Sequence, residues 1–131
     1  MTIENAVRDV LVAASTVTAL VPPSRIKVGQ GGDDQMLPKP YIRHRPVGLE
    51  TTHTHDGGLM GARQWRFYQV TCVGKDYEEA KQVVEVIKAV LGAYRGPEFH
   101  SFLEGELPFD FDYQRKLQEI ALDFYIYEAL P

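Results

Sequence analysis

Gln64-Trp65-Arg66-Phe67-Tyr68-Gln69-Val70-Thr71-Cys72-Val73, then Gly74-Lys75-Asp76, then the run from Tyr77 to Gly92, is the stretch on which the fold turns. Its first ten residues are dense in aromatic and β-branched side chains, which suit a pleated, half-buried surface, and they predict a central strand. Gly74-Lys75 ends that strand. Asp76 stands three residues before Glu79, so its carboxylate can accept a first-turn N–H while Glu79 reaches back, the pattern of a capping box. Ala80, Val83, Val84, Ile87, Val90 and Leu91 then recur at helical spacing, with Glu78, Lys81, Gln82, Glu85 and Lys88 on the other side and Gly92 as a stop. A helix with a single apolar stripe is unstable alone in water, so it predicts a sheet face to lie on.

Working outward, Thr2 is the expected N-cap of a second amphipathic helix. Ile3, Ala6, Val7, Val10, Leu11 and Ala14 form its stripe, and Glu4 and Arg8 stand at i, i+4 on the outer side. Ser15-Thr16 ends or bends this helix, a short turn carries Val17, Leu20 and Val21, and Pro22-Pro23 forbids continuation. Arg25-Ile26-Lys27-Val28 predicts a short edge strand. Residues 29–35 predict a loop that lacks the glycine spacing of a dinucleotide fingerprint, and residues 41–47 a strand with Pro46 near its end or at an edge. Residues 50–62, rich in Thr, His and Gly, show no periodicity and predict a flexible connection.

Beyond Gly92, residues 93–97 read as loop and residues 98–113 as an irregular arm, acidic and rich in phenylalanine, whose rings need a surface to cover. Residues 118–127 are the clearest strand. Ile120, Leu122, Phe124 and Ile126 alternate with Ala121, Asp123, Tyr125 and Tyr127, so one face is core and the tyrosine face is half covered. The order is α, short α, β, β, β, α, β. Strands joined directly tend to pair antiparallel, and two amphipathic helices need one apolar face. The expected fold is therefore α+β, a two-layer sandwich with a mainly antiparallel sheet of about four strands and two helices on one face, as a single domain over residues 1–131.

A chain of 131 residues can bury one core without metal or disulfide staples, and 44% hydrophobic with 24% charged residues is an ordinary globular composition. The single cysteine, Cys72, cannot close an internal disulfide, and its place in the central strand predicts a small buried side chain. No apolar run approaches membrane-spanning length and no signal pattern opens the chain, so a soluble, cytoplasmic protein without membrane contact is expected. The formal charge of −4 is segregated: residues 25–66 carry seven Lys/Arg against four acids, and residues 67–131 six against twelve. A basic middle and an acidic end can steer copies of one chain onto each other, whereas the overall sign disfavours a general DNA-binding role.

Candidate chemistry is sparse. His53-x-His55-Asp56 lies in a loop with no matching ligand pair, and the acids Glu104, Glu106, Asp110 and Asp112 near His100 match no calcium loop. No nucleophile elbow, phosphate loop or zinc frame is present. Neither a catalytic group, a metal nor a cofactor is expected. Arg43, Arg45, Arg63 and Arg66 sit on two neighbouring strands and read either as a solvated sheet face or as a docking patch for the acidic arm of another copy.

Several short words carry a resemblance: Ser-Thr-Val-Thr-Ala-Leu-Val after the first helix, Arg-Ile-Lys-Val, Pro-Tyr-Ile-Arg, Trp-Arg-Phe-Tyr-Gln-Val-Thr-Cys-Val-Gly, Tyr-Glu-Glu-Ala-Lys and the closing alternating strand. In this order, over nearly the whole chain, they resemble the tail completion, or head-to-tail joining, proteins of long-tailed bacteriophages. That resemblance implies a non-enzymatic virion protein of the tail or neck, assembled in the host cytoplasm. It would form a homo-oligomeric ring, of six copies, on the head-proximal end of the tail tube, with the tube protein and the head connector as partners and DNA only passing through. The interface it suggests pairs Arg43, Arg45, Arg63 and Arg66 with Glu104, Glu106, Asp110 or Asp112 of a neighbour. The loop with His53 and His55 would contact tube or connector. Alternative readings are another phage neck or connector component, or a small α+β ligand-binding or metal-dependent enzyme domain with its site around His100.

Overall fold

The structure, a computed structural model, describes residues 2–29, 38–52 and 63–128, and at 48–52, 63–66 and 128 it describes the backbone only. Its elements are α1 (Ile3–Ala13), α2 (Ser15–Thr18), a 3-10 turn (Pro23–Arg25), β1 (Ile26–Val28), β2 (Tyr41–Thr52), β3 (Arg63–Gly74), α3 (Tyr77–Leu91), β4 (Ala93–Arg95), β5 (Phe99–Pro108) and β6 (Gln118–Glu128). Among the described residues the strands form one sheet in the order β1-β2-β3-β6-β5-β4. The α+β class with helices against a sheet holds, but the sheet has six strands where about four were expected.

The two additional strands are β4 and β5, which fall on stretches that read as loop and irregular arm. Phe99–Pro108 pairs antiparallel with β6 along its length, but its register slips between Leu103 and Gly105. A bulge puts two residues against one, which breaks the alternation that marks a strand in sequence. The other correction concerns β1, which runs parallel to β2 with Ile26 beside Ile42. Residues 29–40 supply about the dozen residues that a parallel crossover requires. Residues 50–52, taken as the start of the flexible connection, continue β2, and 53–62 lie outside the described residues.

The strand-turn-helix unit forms as its sequence predicts. The Asp76 carboxylate accepts the Glu79 N–H at 2.8 Å, and the Glu79 side chain accepts the Lys75 N–H at 2.9 Å, one residue earlier than in the standard capping box. Gly74 is required where the strand meets the helix, because a Cβ there would lie 2.6 Å from the backbone nitrogen of Ala80. Thr2 caps α1 by accepting the Asn5 N–H. Arg8 serves a different purpose from the expected pairing with Glu4: its guanidinium donates to the Pro23 carbonyl at 3.1 Å and approaches that of Ile26 at 3.4 Å, tying α1 to the turn before β1.

The core lies between the helices and one sheet face. Ile3, Val7 and Leu11 of α1 and Val83, Val84 and Ile87 of α3 join Ile42, Val70, Cys72, Ile120, Leu122 and Phe124 in one buried cluster. Register explains the selection, since Ile42, Cys72 and Ile120 stand abreast, as do His44, Val70 and Leu122. Cys72 is a free, fully buried thiol, and burial raises its pKa far above the ordinary range. β5 is fastened to the helix layer by Ser101, whose hydroxyl donates to the Leu91 carbonyl at 2.6 Å, and by Glu106, which accepts from Lys81 at 2.5 Å and from Lys88. No helix of the described residues is long and apolar enough to cross a membrane.

Candidate functional site

Helices cover one face of the sheet, and the residues of opposite parity make the other. Across the strands that second face carries the rows Tyr41–Val73–Glu119, Arg43–Thr71–Ala121–Leu107, Arg45–Gln69–Asp123 and Phe67–Tyr125–Phe102. The face is thus graded, from partly apolar through charged to aromatic. Phe67 and Tyr125 pack with their rings tilted and their centroids 4.8 Å apart, and His100 leans on Tyr127 at 6.3 Å.

The arm after β5 folds back over one end of this face. Phe109 and Glu119 pair through the backbone, the Gln118 amide donates to the Phe109 carbonyl, and Asp112 and Leu117 close a short antiparallel bridge. Within the turn, the Asp112 carboxylate accepts the N–H groups of Gln114 and Arg115, both at 3.0 Å, and the Arg115 Nε–H at 2.7 Å. These hydrogen bonds hold the Asp112 carboxyl below its usual pKa. Arg115 also reaches Glu119 at 2.8 Å. Leu117 is delivered onto Tyr41 and Val73, forming a second, small buried cluster. The arm therefore covers its own sheet with a leucine, while Phe109 and Tyr113 remain 46% and 83% exposed.

Between arm and sheet lies an open groove of about 290 Å³, lined by Arg43, Arg45, Gln69, Thr71, Phe109 and Arg115 among others. Arg43 and Arg45 point the same way because they are two apart on a strand. Arg43 donates to the Gly29 carbonyl at 2.7 Å, which the positive φ of Gly29, 97°, presents to it. Arg45 makes a long 3.5 Å approach to the Gln69 side chain, whose amide in turn approaches Asp123 at 3.4 Å. Three guanidinium groups against Glu119 make the groove cationic on its β2 side and mixed towards β6.

Of the residues singled out from sequence, the structure gathers Arg43 and Arg45 and adds Arg115, which lies just beyond the arm of residues 98–113 and was not among them. Its spacing from Asp112 and Glu119, i+3 and i−4, was the available signal. Arg63 and Arg66 lie further along β3, opposite Thr52 and Leu49, away from the groove. The four acids separate into two pairs. Glu106 is held by Lys81 and Lys88, and Asp112 by Arg115, whereas Glu104 and Asp110 are exposed and make no ion pair among the described residues. His53 and His55 lie outside the described residues, and among those described no group of three His, Cys, Asp or Glu side chains could hold a metal ion.

No protein-family model matches this chain, and no curated protein matches it in sequence. Among solved structures the chain is similar to one chain of "Virion of native gene transfer agent (GTA) particle", with a TM-score of 0.74 over 96% of this chain and 93% of that one. Sequence identity is 16%, so what the two share is the fold, and they share it nearly end to end.

Proposed function

We propose that this chain is a structural protein of a phage or phage-like virion, acting by offering surfaces and carrying out no bond-making or bond-breaking. In finer terms, it is a tail completion protein that forms a ring, of about six copies, on the head-proximal end of the tail tube. There it ends tube growth and meets the head connector. The observation that carries this reading is the end-to-end fold likeness to a chain of a virion particle.

Physical features of the chain support it. A ring needs two different, complementary patches on each copy, so that each contact is heterologous and the rotation closes. Among the described residues this sheet leaves one face free of helices, with arginines on β2 at one side and, on or just past β5 at the other, acids that make no ion pair. Exposed Phe102, Leu107 and Phe109 add apolar area beside those acids.

The test is to polymerise a tail tube protein of the same particle with and without this chain and to image the products by electron microscopy. Shortened tubes bearing a ring of density at one end are expected. Tubes of unchanged length with bare ends would overturn the tail-completion reading, and binding to the connector alone would assign the chain to another neck position.

A further inference from the structure

Resting on that assembly reading, we propose that the Arg43–Arg45 groove of one copy receives the β5 corner of a second copy, with Glu104 and Asp110 of the incoming chain as its charged contacts. The four acids of the arm look equivalent in sequence, but Glu106 and Asp112 are already neutralised within their own chain. Glu104 and Asp110 remain exposed, and between them stand Leu107 and Phe109, 53% and 46% exposed. Acids flanking an apolar centre make a plug. The groove supplies the matching socket: about 290 Å³ floored by Thr71 and Gln69 and walled by guanidinium groups.

Within one copy Phe109 borders the groove, but Glu104 on β5 lies across the sheet from Arg43 and Arg45 on β2. β2 and β5 are separated by β3 and β6 in a rigid sheet, roughly 14 Å at the usual strand spacing. They lie towards opposite sides of the same sheet, so mating them between copies generates a head-to-tail contact. Direct strand-to-strand extension is the competing geometry, and beyond the three-residue edge strands β1 and β4 the outer halves of β2 and β5 are built against it. β2 carries Pro46 and a register shift between Pro46 and Gly48 on its outer half, and β5 carries a shift between Leu103 and Gly105 and ends on Pro108. Bulges and prolines at edges block backbone pairing, which leaves side-chain docking.

The experiment follows amide NMR shifts and sedimentation of the full chain up to millimolar concentration. Concentration-dependent shifts at Gln69 and Thr71 are expected, with association weakened about tenfold or more by Arg45→Glu or by the pair Glu104→Arg and Asp110→Arg. Mixing the two reversed variants should restore association that neither shows alone, and circular dichroism confirms that each is folded. The charge-neutral Arg45→Gln provides a milder second variant, expected to weaken association to a smaller extent. The proposal is overturned if the groove amides do not respond to concentration, if the reversals leave association unchanged, or if a single-stranded DNA oligonucleotide shifts those amides where a second copy does not. Association that survives these tests, in a protein that fails to cap tubes, would keep the plug and socket and discard the tail-completion role.

Discussion

Acidification should cost this fold about 3 kcal/mol at one side chain, His44, before most carboxylates protonate. The ring stands on β2 facing the helices with 0% exposure, its Nδ1 2.5 Å from the Tyr68 hydroxyl and stacked on that ring. Its Nε2 is buried without a hydrogen-bond partner among the described residues. Burial lowers its pKa from 6.5 to about 4; the Arg8 charge adds to the effect, Glu4 opposes it and Arg43 adds a little more. Because the folded state resists the proton, the unfolded chain binds it first. The contribution of neutral His44 is therefore fully present above pH 6.5, declines as pH falls towards 4, and is constant below that. At about 1.4 kcal/mol for each tenfold difference in proton affinity, the interval from 6.5 to about 4 corresponds to about 3 kcal/mol.

The comparison that isolates His44 is with the double variant His44→Leu, Tyr68→Phe. Removing both partners avoids leaving the buried tyrosine hydroxyl unsatisfied, a loss that would act at every pH. Urea unfolding monitored by circular dichroism at steps between pH 7.5 and 4 yields stability for both proteins. Carboxylate titrations are common to the two and cancel in the difference. The double variant should gain about 3 kcal/mol on the natural protein across this range, equivalent to a relative rise of roughly 10 °C in Tm for a domain of this size. Parallel pH profiles, or an NMR titration of His44 in the folded protein with a midpoint near 6.5, would refute the reasoning.

Three further outcomes follow from local geometry. Asp76→Ala removes the acceptor of the Glu79 N–H and should cost about 1 kcal/mol of stability in denaturant melts, whereas Asp76→Ser should recover most of it. Gly74→Ala places a methyl 2.6 Å from the Ala80 nitrogen and should cost about 1–3 kcal/mol by the same assay, because the obstacle is backbone and cannot rotate away. Glu106→Gln should cost about 1 kcal/mol at low salt and less at high salt, since it removes the anion shared by Lys81 and Lys88. The hydrogen bonds from those lysines lower the Glu106 pKa, so its contribution is present above pH 4.5 and is lost as pH falls through the lowered value.

Local patterns carried much of the architecture. The stripe Ala80, Val83, Val84, Ile87, Val90 and Leu91 could face only a core; Val90 is partly buried against that core and the other five are buried. Asp76, Gly92 and Thr2 marked helix ends because capping is decided by residues within one turn. The alternation in 118–127 assigned Ile120, Leu122, Phe124 and Ile126 to one face, and all four are buried. Arg43 and Arg45 were legible as neighbours for the same reason, since two residues apart on a strand means the same side. In the candidate groove, those two arginines and the presence of acids on the arm could be read from the chain.

What could not be read depends on partners distant in sequence. Nothing near Glu106 distinguishes it from Glu104; only the packing of α3 under β5 brings Lys81 and Lys88 to one and leaves the other exposed. β5 itself was hidden because its bulge interrupts the two-residue period, and its hydrogen bonds are supplied by β6, which follows it in sequence. β1 reads as any short strand, and its parallel direction beside β2 appears only in the pairing of Ile26 with Ile42. Which segments are helices, where they start and stop, and which faces are apolar could be read from the residues alone, because these obey short-range periodicity and capping. How many strands join, which charges are already paired and where a groove opens emerge only on folding, because those are set by contacts whose two halves lie tens of residues apart.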